Sequence, residues 1–343
     1  QMQASHFRRD GASTERVEPG AEASAAGAGP DYDWDATCSV ADVRLLDAVR
    51  RGLTTAAAAY SDAADCMGDM VRRVRQGHTP DLASAEPVCE KIVNSAKDCA
   101  VCTAGVSAMR SDRSMAAHGA GTALLAAAFG VHLGLDDGAV AALAQAGLVH
   151  DLGMALVPPH VLIKRGALDA GEQRLVHQHT LQGYRLIQAQ ANVRAETLAA
   201  AVSHHERYDA SGYPRSKPWK GPLDATTIVA VCDVFMALTS DRPHRKALSG
   251  HEAMRLIFRN KDAWFASETV EAFVRFLGVY PMGSLVQLSG GGYGVVAATE
   301  ADTPHKPLVV HAFDRSFRSS RPGLCVWARA MTWSAAWRRA RSK

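Results

Sequence analysis

Aromatic residues make up only 6% of the chain, and no apolar run approaches the length of a bilayer-spanning helix. The longest such run, Ala123 to Val131, is followed at once by His132, well short of the roughly 20 residues a span requires. Few aromatics beside abundant alanine, leucine and valine favour helices over a sheet sandwich. Neither sign of charge is in excess. The 38 basic and 35 acidic residues leave a net charge of +3, which gives no reason to invoke a DNA or RNA polymer or an anionic membrane surface. The seven cysteines are an odd number without the regular framework of a disulfide scaffold, and a leader with a charged start and an apolar core is missing. A reducing cytoplasm is the expected setting.

At 343 residues the chain is long enough to bury a sizeable core. Residues 1–34, rich in Gly, Ala, Ser and Glu, cannot bury enough apolar surface to offset ordering entropy and are expected to be disordered. A helical lead-in, 35–110, follows: Val40, Val43, Leu45, Leu46 and Val49 recur at helical intervals, and a second run, Ala64 to Val74, stops before Gly77 and Pro80. Within a helix expected over Pro87 to Met109, Cys99 and Cys102 form a CxxC with no second pair at zinc spacing, so they read as buried small residues rather than as half a metal site or a redox pair. Residues 111–315 form the main domain, closed by an alternating stretch, Ser284 to Ala298, that reads as a small hairpin about Gly290, Gly291 and Gly292. Residues 316–343 are a Trp- and Arg-rich basic tail, read as poorly ordered, with an amphipathic helix as the alternative. The fold expected is all-α, a helical bundle with a helical lead-in and a small C-terminal hairpin.

What the main domain has in quantity is histidine at helix ends. His150 and Asp151 close an apolar helical run, Ala139 to Val149, so their side chains emerge at the rim of a packed core. A carboxylate has two oxygens and bridges cations about 3.5–4 Å apart, which makes Asp151 the candidate bridge. His118 begins another apolar helix. Asp169 and Glu172 read as a capping box opening a helix with His177 and His179. Asn192 is a candidate cap for the helix leading to His204 and His205, neighbours that point about 100° apart and reach one site only near a helix end. The stretch Thr226 to Leu238 suits a strand or a helix locally, and Asp224 as an N-cap favours the helix. Asp233 sits within it among apolar neighbours, where an unpaired carboxylate costs several kcal/mol, a cost that metal ligation removes. Ser249 with Glu252 caps a further helix, and Ala266 to Leu277 forms another.

A histidine-aspartate pair at a helix end, a later histidine, then His204-His205-Glu206 followed by Ser211-Gly212-Tyr213-Pro214, resembles the HD-GYP subgroup of the HD metal-dependent phosphohydrolases. The resemblance runs from about Asp62 to Val310. It implies a helical domain whose metal site hydrolyses the second messenger cyclic di-GMP to linear pGpG and onward to GMP. The metal ligands it implies are His118, His150, Asp151, His179, His204, His205 and Asp233: His118, His150 and Asp233 on one ion, His179, His204 and His205 on the other, Asp151 between, with His150 and Asp151 at the catalytic centre. His179 pairs with Gly183 in the family pattern, which leaves His177 as a solvent-facing neighbour. Ser114 stands where members with a third metal carry glutamate, so two divalent ions are expected, iron or manganese by ligand type. Arg242 and Arg245 match basic positions suited to phosphate, against a reading as ordinary surface charge. Tyr213 is either packing or a contact to a guanine or a partner. Two departures stand out: Met154 replaces the lysine after the HD pair, and Met236 replaces the second aspartate of the later DxxDAL run. Lys164 is a candidate for the missing cation, and Ala210 stands where glycine is usual. These departures keep a second class of function open, a weak or inactive module that binds metal and cyclic dinucleotide or docks a diguanylate cyclase (GGDEF) partner through the GYP loop. The lead-in helices suit a homodimer.

Overall fold

A computed structural model describes residues 40–331 apart from 110–113, 165, 192, 217, 219–222, 242–244, 289–291, 300–306, 315, 317–324 and 328–329. The expected disordered segment, Asn192 and Arg242 therefore lie outside the described residues.

The two lead-in runs lie on one long helix, α1 (Val40–Arg75). It ends on Arg72, Arg73 and Arg75, cations favoured at the negative end of the helix dipole. Gly77 stops it at φ +81°. The N–H of Gly77 donates to Val74 O (3.0 Å) and that of His78 to Arg73 O (2.9 Å), the paired bonds of a Schellman stop. The helix expected over Pro87 to Met109 is two, α2 (Glu86–Asp98) and α3 (Ala100–Met109), broken at Cys99, whose backbone is extended at φ −159° and ψ 88°. The break brings the sulfurs of Cys99 and Cys102 together as a disulfide, correcting the reading of the pair as merely small and buried.

The main domain follows as α4 (Met115–His132), α5 (Asp137–Val149), a 3-10 turn (Leu152–Leu156), α6 (Pro159–Leu162), α7 (Ala170–His177), α8 (His179–Gln188), α9 (Ala195–Ser203), α10 (Ala225–Thr239), α11 (Gly250–Arg259) and α12 (Ser267–Leu277). The starts are made by local side chains. Ser114 accepts from the Ala117 N–H at 3.0 Å, Asp136 from Ala139 at 2.8 Å and Asp224 from Thr227 at 2.9 Å. The expected capping boxes at Asp169/Glu172 and Ser249/Glu252 are both present. The helix expected to hold both His177 and His179 is split at Gln178, which puts His179 at a helix start. The ambiguous Thr226–Leu238 stretch is helical.

α4 is buried along nearly its whole length, from Ala117 to Gly130, which marks it as the central helix. Phe129 on it stacks on Phe276 (5.3 Å between centroids) and meets Phe273 edge-on at 5.3 Å. Gly147 lets α5 lie against α4: a Cβ there would stand 2.8 Å from Ala123 Cα. The stretch Asp137–Leu156 has the length and apolar content of a membrane span, but 72% of it is buried inside this core.

Beyond α12, β1 (Leu285–Leu288) and β2 (Tyr293–Ala298) form the expected hairpin, in register Leu285↔Val295 and Val286↔Gly294. Strands β3 (Leu308–Phe313), β4 (Cys325–Trp327) and β5 (Ala330–Met331) extend it to an antiparallel sheet in the order β4-β3-β2-β1-β5. The last two strands fall in the segment read as a basic tail. The sheet has a small core of its own, Tyr280, Val286, Leu288, Val296 and Val309.

Candidate metal centre

Seven side chains that are far apart in sequence converge where five helices end or cross. His118 lies in the first turn of α4, His150 caps the end of α5 with Asp151 next to it, His179 opens α8, His204 ends α9 with His205 following, and Asp233 sits inside α10. The Leu152–Leu156 turn can lie on the start of α8 because Gly153 has no Cβ, which would fall 2.0 Å from His179 O. That contact sets Asp151 beside His179.

Asp151 turns one oxygen to each side of the cluster. Its Oδ2 is 3.7 Å from His150 Nε2 and 3.8 Å from His118 Nε2, and its Oδ1 is 3.1 Å from His179 Nε2 and 3.5 Å from His204 Nε2. Asp233 Oδ1 is 2.9 Å from His118 Nε2 and 3.8 Å from His150 Nε2. The donor atoms of His118, His150, Asp151 and Asp233 all lie within 4.8 Å of one another, as do those of Asp151, His179, His204 and His205. Asp151 belongs to both groups.

Three rings are aimed by helix carbonyls, those of His150 and His204 by their own helices and that of His179 by the end of α7. Nδ1 of His150 faces Gly147 O at 2.8 Å, that of His179 faces Val176 O at 2.6 Å, and that of His204 faces Ala200 O at 2.7 Å. A proton on Nδ1 leaves each Nε2 with its lone pair toward the cluster, the arrangement a metal ligand needs. His150 Nε2, Asp151 Oδ1 and Asp233 Oδ2 are buried without an aligned hydrogen-bond partner. Stranded polar atoms of this kind cost about 1–3 kcal/mol each, more when charged. Divalent cations held by the two groups of imidazole and carboxylate donors would satisfy them, so the residues present fit a metal.

The electrostatics agree. Burial opposes charge on Asp151, yet His150, with His179 and His204 close by, holds its carboxyl well below the usual range. Burial likewise opposes charge on Asp233, and His118 and His150 draw it well down. Burial disfavours the His150 cation too, but Asp151 and Asp233 outweigh it and lift the imidazole to about 9. Desolvation lowers His204, and desolvation with the nearby His204 lowers His205, so both are neutral near pH 7.

The other sequence candidates are placed as follows. Lys164 pairs with Glu172 at 2.5 Å, within the α7 capping box. Arg245 donates to Ala237 O at 2.7 Å and Leu238 O at 3.0 Å, closing the end of α10 rather than facing the cluster. Tyr213 packs against His205 with ring centroids 4.6 Å apart. Met154 joins a small apolar cluster with Val157, Val161 and Val176, and Met236 fills the space over Gly121 of α4. Ala210 holds φ +69°, the left-handed conformation that glycine would adopt without strain, whereas Gly212 is needed for space rather than for angle. His177, expected to face solvent, is half-buried and stacked on Tyr213. Glu206, to which sequence reasoning gave no role, accepts the Arg215 N–H at 2.7 Å and ties the loop to the end of α9. Its adjacency to His204-His205 was the available signal.

A helical bundle with a histidine-aspartate pair at the crossing of its central helices defines an HD-type metal-binding domain. The HD domain sequence profile matches residues 87–268, just over half of the chain. The chain belongs to the HD domain family. It is 34% identical over 261 residues to the cyclic di-GMP phosphodiesterase PA4108 of Pseudomonas aeruginosa, a match covering 75% of this chain and 61% of that one. It is 37% identical over 145 residues to the cyclic di-GMP phosphodiesterase response regulator RpfG of Xanthomonas campestris pv. campestris, covering 42% and 38%. The chain thus spans less than two thirds of the length of these relatives. Among solved structures, Bd1817, a HDG"Y"P protein from Bdellovibrio bacteriovorus, aligns with a TM-score of 0.53 at 14% identity, over 65% of this chain and 76% of that one, a likeness of fold alone.

Proposed function

We propose that the chain is a metal-dependent phosphodiesterase that hydrolyses cyclic di-GMP to linear pGpG, which is cut onward to GMP. The observation that carries this reading is the sharing of Asp151 by two groups of donors, each large enough to hold one ion. In this reading His118, His150 and Asp233 would hold one divalent ion and His179, His204 and His205 the other, with Asp151 belonging to both groups. Iron or manganese suits the donors. Two such ions supply an activated water and neutralise charge on the phosphate oxygens.

The chain's own residues do the rest. The carbonyls of Gly147, Val176 and Ala200 accept at Nδ1 of three imidazoles, which turns each Nε2 toward the cluster. Each hydrolysis, the first to pGpG and the second to GMP, breaks one P–O3′ bond: the oxygen of water joins phosphorus and a proton passes to the leaving 3′ oxygen. Arg242 is assigned to the phosphates, with Lys164 joining it only on leaving Glu172, and the edge of Tyr213 to the rim where a guanine enters. Arg245 serves at one remove, holding the end of the Asp233 helix. The free thiols of Cys66, Cys89 and Cys232 among the described residues favour a reducing cytoplasm, and the Cys99–Cys102 disulfide argues against one.

Met154 favours a second reading. Its side chain lies in an apolar cluster, so no cation from that position meets the phosphate. A module that binds metal and cyclic dinucleotide without turnover, docks a diguanylate cyclase through the GYP loop and pairs as a homodimer is consistent with that substitution. Protein purified without oxygen, its metals quantified, is incubated with cyclic di-GMP and the products are separated by chromatography. Appearance of pGpG supports the enzyme; two metals per chain with intact nucleotide supports the module.

A further inference from the structure

His205 differs from the other histidines of the cluster in how it is held. His150 and His204 are fixed by carbonyls of their own helices, His179 by a carbonyl near the end of α7, and His118 Nε2 lies 2.9 Å from Asp233. His205 follows the end of α9, and among the described residues its ring is held by stacking instead. Tyr213 lies over it at 4.6 Å with the planes 26° apart. The loop is brought back for this purpose: the Tyr213 N–H donates to His205 O at 3.1 Å, and a Cβ on Gly212 would fall 2.3 Å from that same oxygen. His177 also stacks on Tyr213, at 3.9 Å and 4° from parallel. His177 is the last residue of α7, two positions before His179, so its own helix end holds the pile.

We infer that His177 and Tyr213 are positioning residues for the metal centre, a three-ring stack that orients the His205 imidazole. The inference rests on the metal-centre reading above. A ligand beyond a helix end has a side chain free to turn, and an ion bound to it bears the cost of stopping that motion. Stacked rings limit the motion beforehand, as the carbonyls do for the neighbouring histidines. A stacking contribution of ordinary size corresponds to roughly a three- to tenfold change in affinity.

The test is manganese binding to the full chain, stripped with chelator and followed by calorimetry and electron paramagnetic resonance. His177→Ala and Tyr213→Leu are expected to weaken one of two manganese equivalents about three- to tenfold while leaving the other unchanged. His177→Phe, which keeps a flat ring and loses both nitrogens, is expected to restore binding. Wild-type affinity at both equivalents in His177→Ala, or a His177→Phe variant as weak as His177→Ala, overturns the inference, the latter by making a nitrogen the important group. Should Tyr213→Leu misfold, the His177 pair alone decides. A wild-type chain that takes up fewer than two manganese ions removes the binuclear reading itself, a result distinct from an unaltered His177→Ala.

Discussion

The two halves of the metal cluster are built by different means. Around His118, His150 and Asp233 the donors come from α4, α5 and α10, helices packed through the central core, and the carboxylate of Asp233 is 96% buried. Around His179, His204 and His205 they come from shorter helices and a loop, and His205 is partly buried and held by rings. The first half is a by-product of packing that the fold needs anyway. The second depends on local contacts that contribute little to folding. Loss of a residue should therefore unfold the protein in one half and empty the site in the other.

The largest effect falls on the residue both halves share. Asp151→Ala is expected to remove both ions and to lower turnover at least about a thousandfold, because the bridging oxygens and the activated water go together. Metal analysis beside the product assay checks this, and a variant that keeps two ions would show that the halves are independent. Next comes stability of the metal-free chain. Asp233→Ala leaves a cationic His150 buried without one of its two carboxylates and is expected to cost about 3 kcal/mol, against under about 1 kcal/mol for His205→Ala at the rim. Urea unfolding in chelator reads both, and equal losses would abolish the contrast.

The halves should also differ in protons. With His150 lifted to about 9, the metal-free chain carries that proton at neutral pH, and a metal must displace it, whereas His204 and His205 are already neutral. Calorimetry in buffers of different ionisation enthalpy is expected to find about one proton released per chain at pH 7.5 and none well above pH 10. The sign for stability follows from the same shift. The His150 contribution to the metal-free fold is fully present below its unfolded value, about 6.5, and is lost as pH rises through about 9. The carboxylates act in the opposite direction: Asp151 and Asp233 stabilise above the ordinary carboxylate range, and that contribution is lost in acid. The smallest effect concerns the loop of the second half. Ala210→Gly relieves a left-handed φ and is expected to stabilise by about 0.5–1 kcal/mol with the metal sites unchanged, which thermal unfolding will show.

Much of this was legible because it is local. A capping box joins residues three apart, so Asp169 with Glu172 and Ser249 with Glu252 could be read directly from the sequence. The breaks at Cys99 and Gln178 could not, since the apolar pattern continues through both and the disulfide and the approach of Gly153 lie outside it. Arg245 shows the same limit: a cation beside a helix end and a cation beside a phosphate look alike until the carbonyls of α10 are in place.

The sequence alone determined the helical class, the caps and the identity of the donors, because periodicity, short-range hydrogen bonding and side-chain chemistry are properties of neighbours. Tertiary structure decided which donors share Asp151, that His118 meets Asp233 from 115 residues away, and that His177 stacks on Tyr213. Those facts depend on how helices cross, and crossing is set by the packing of the whole core, which no short stretch of chain encodes.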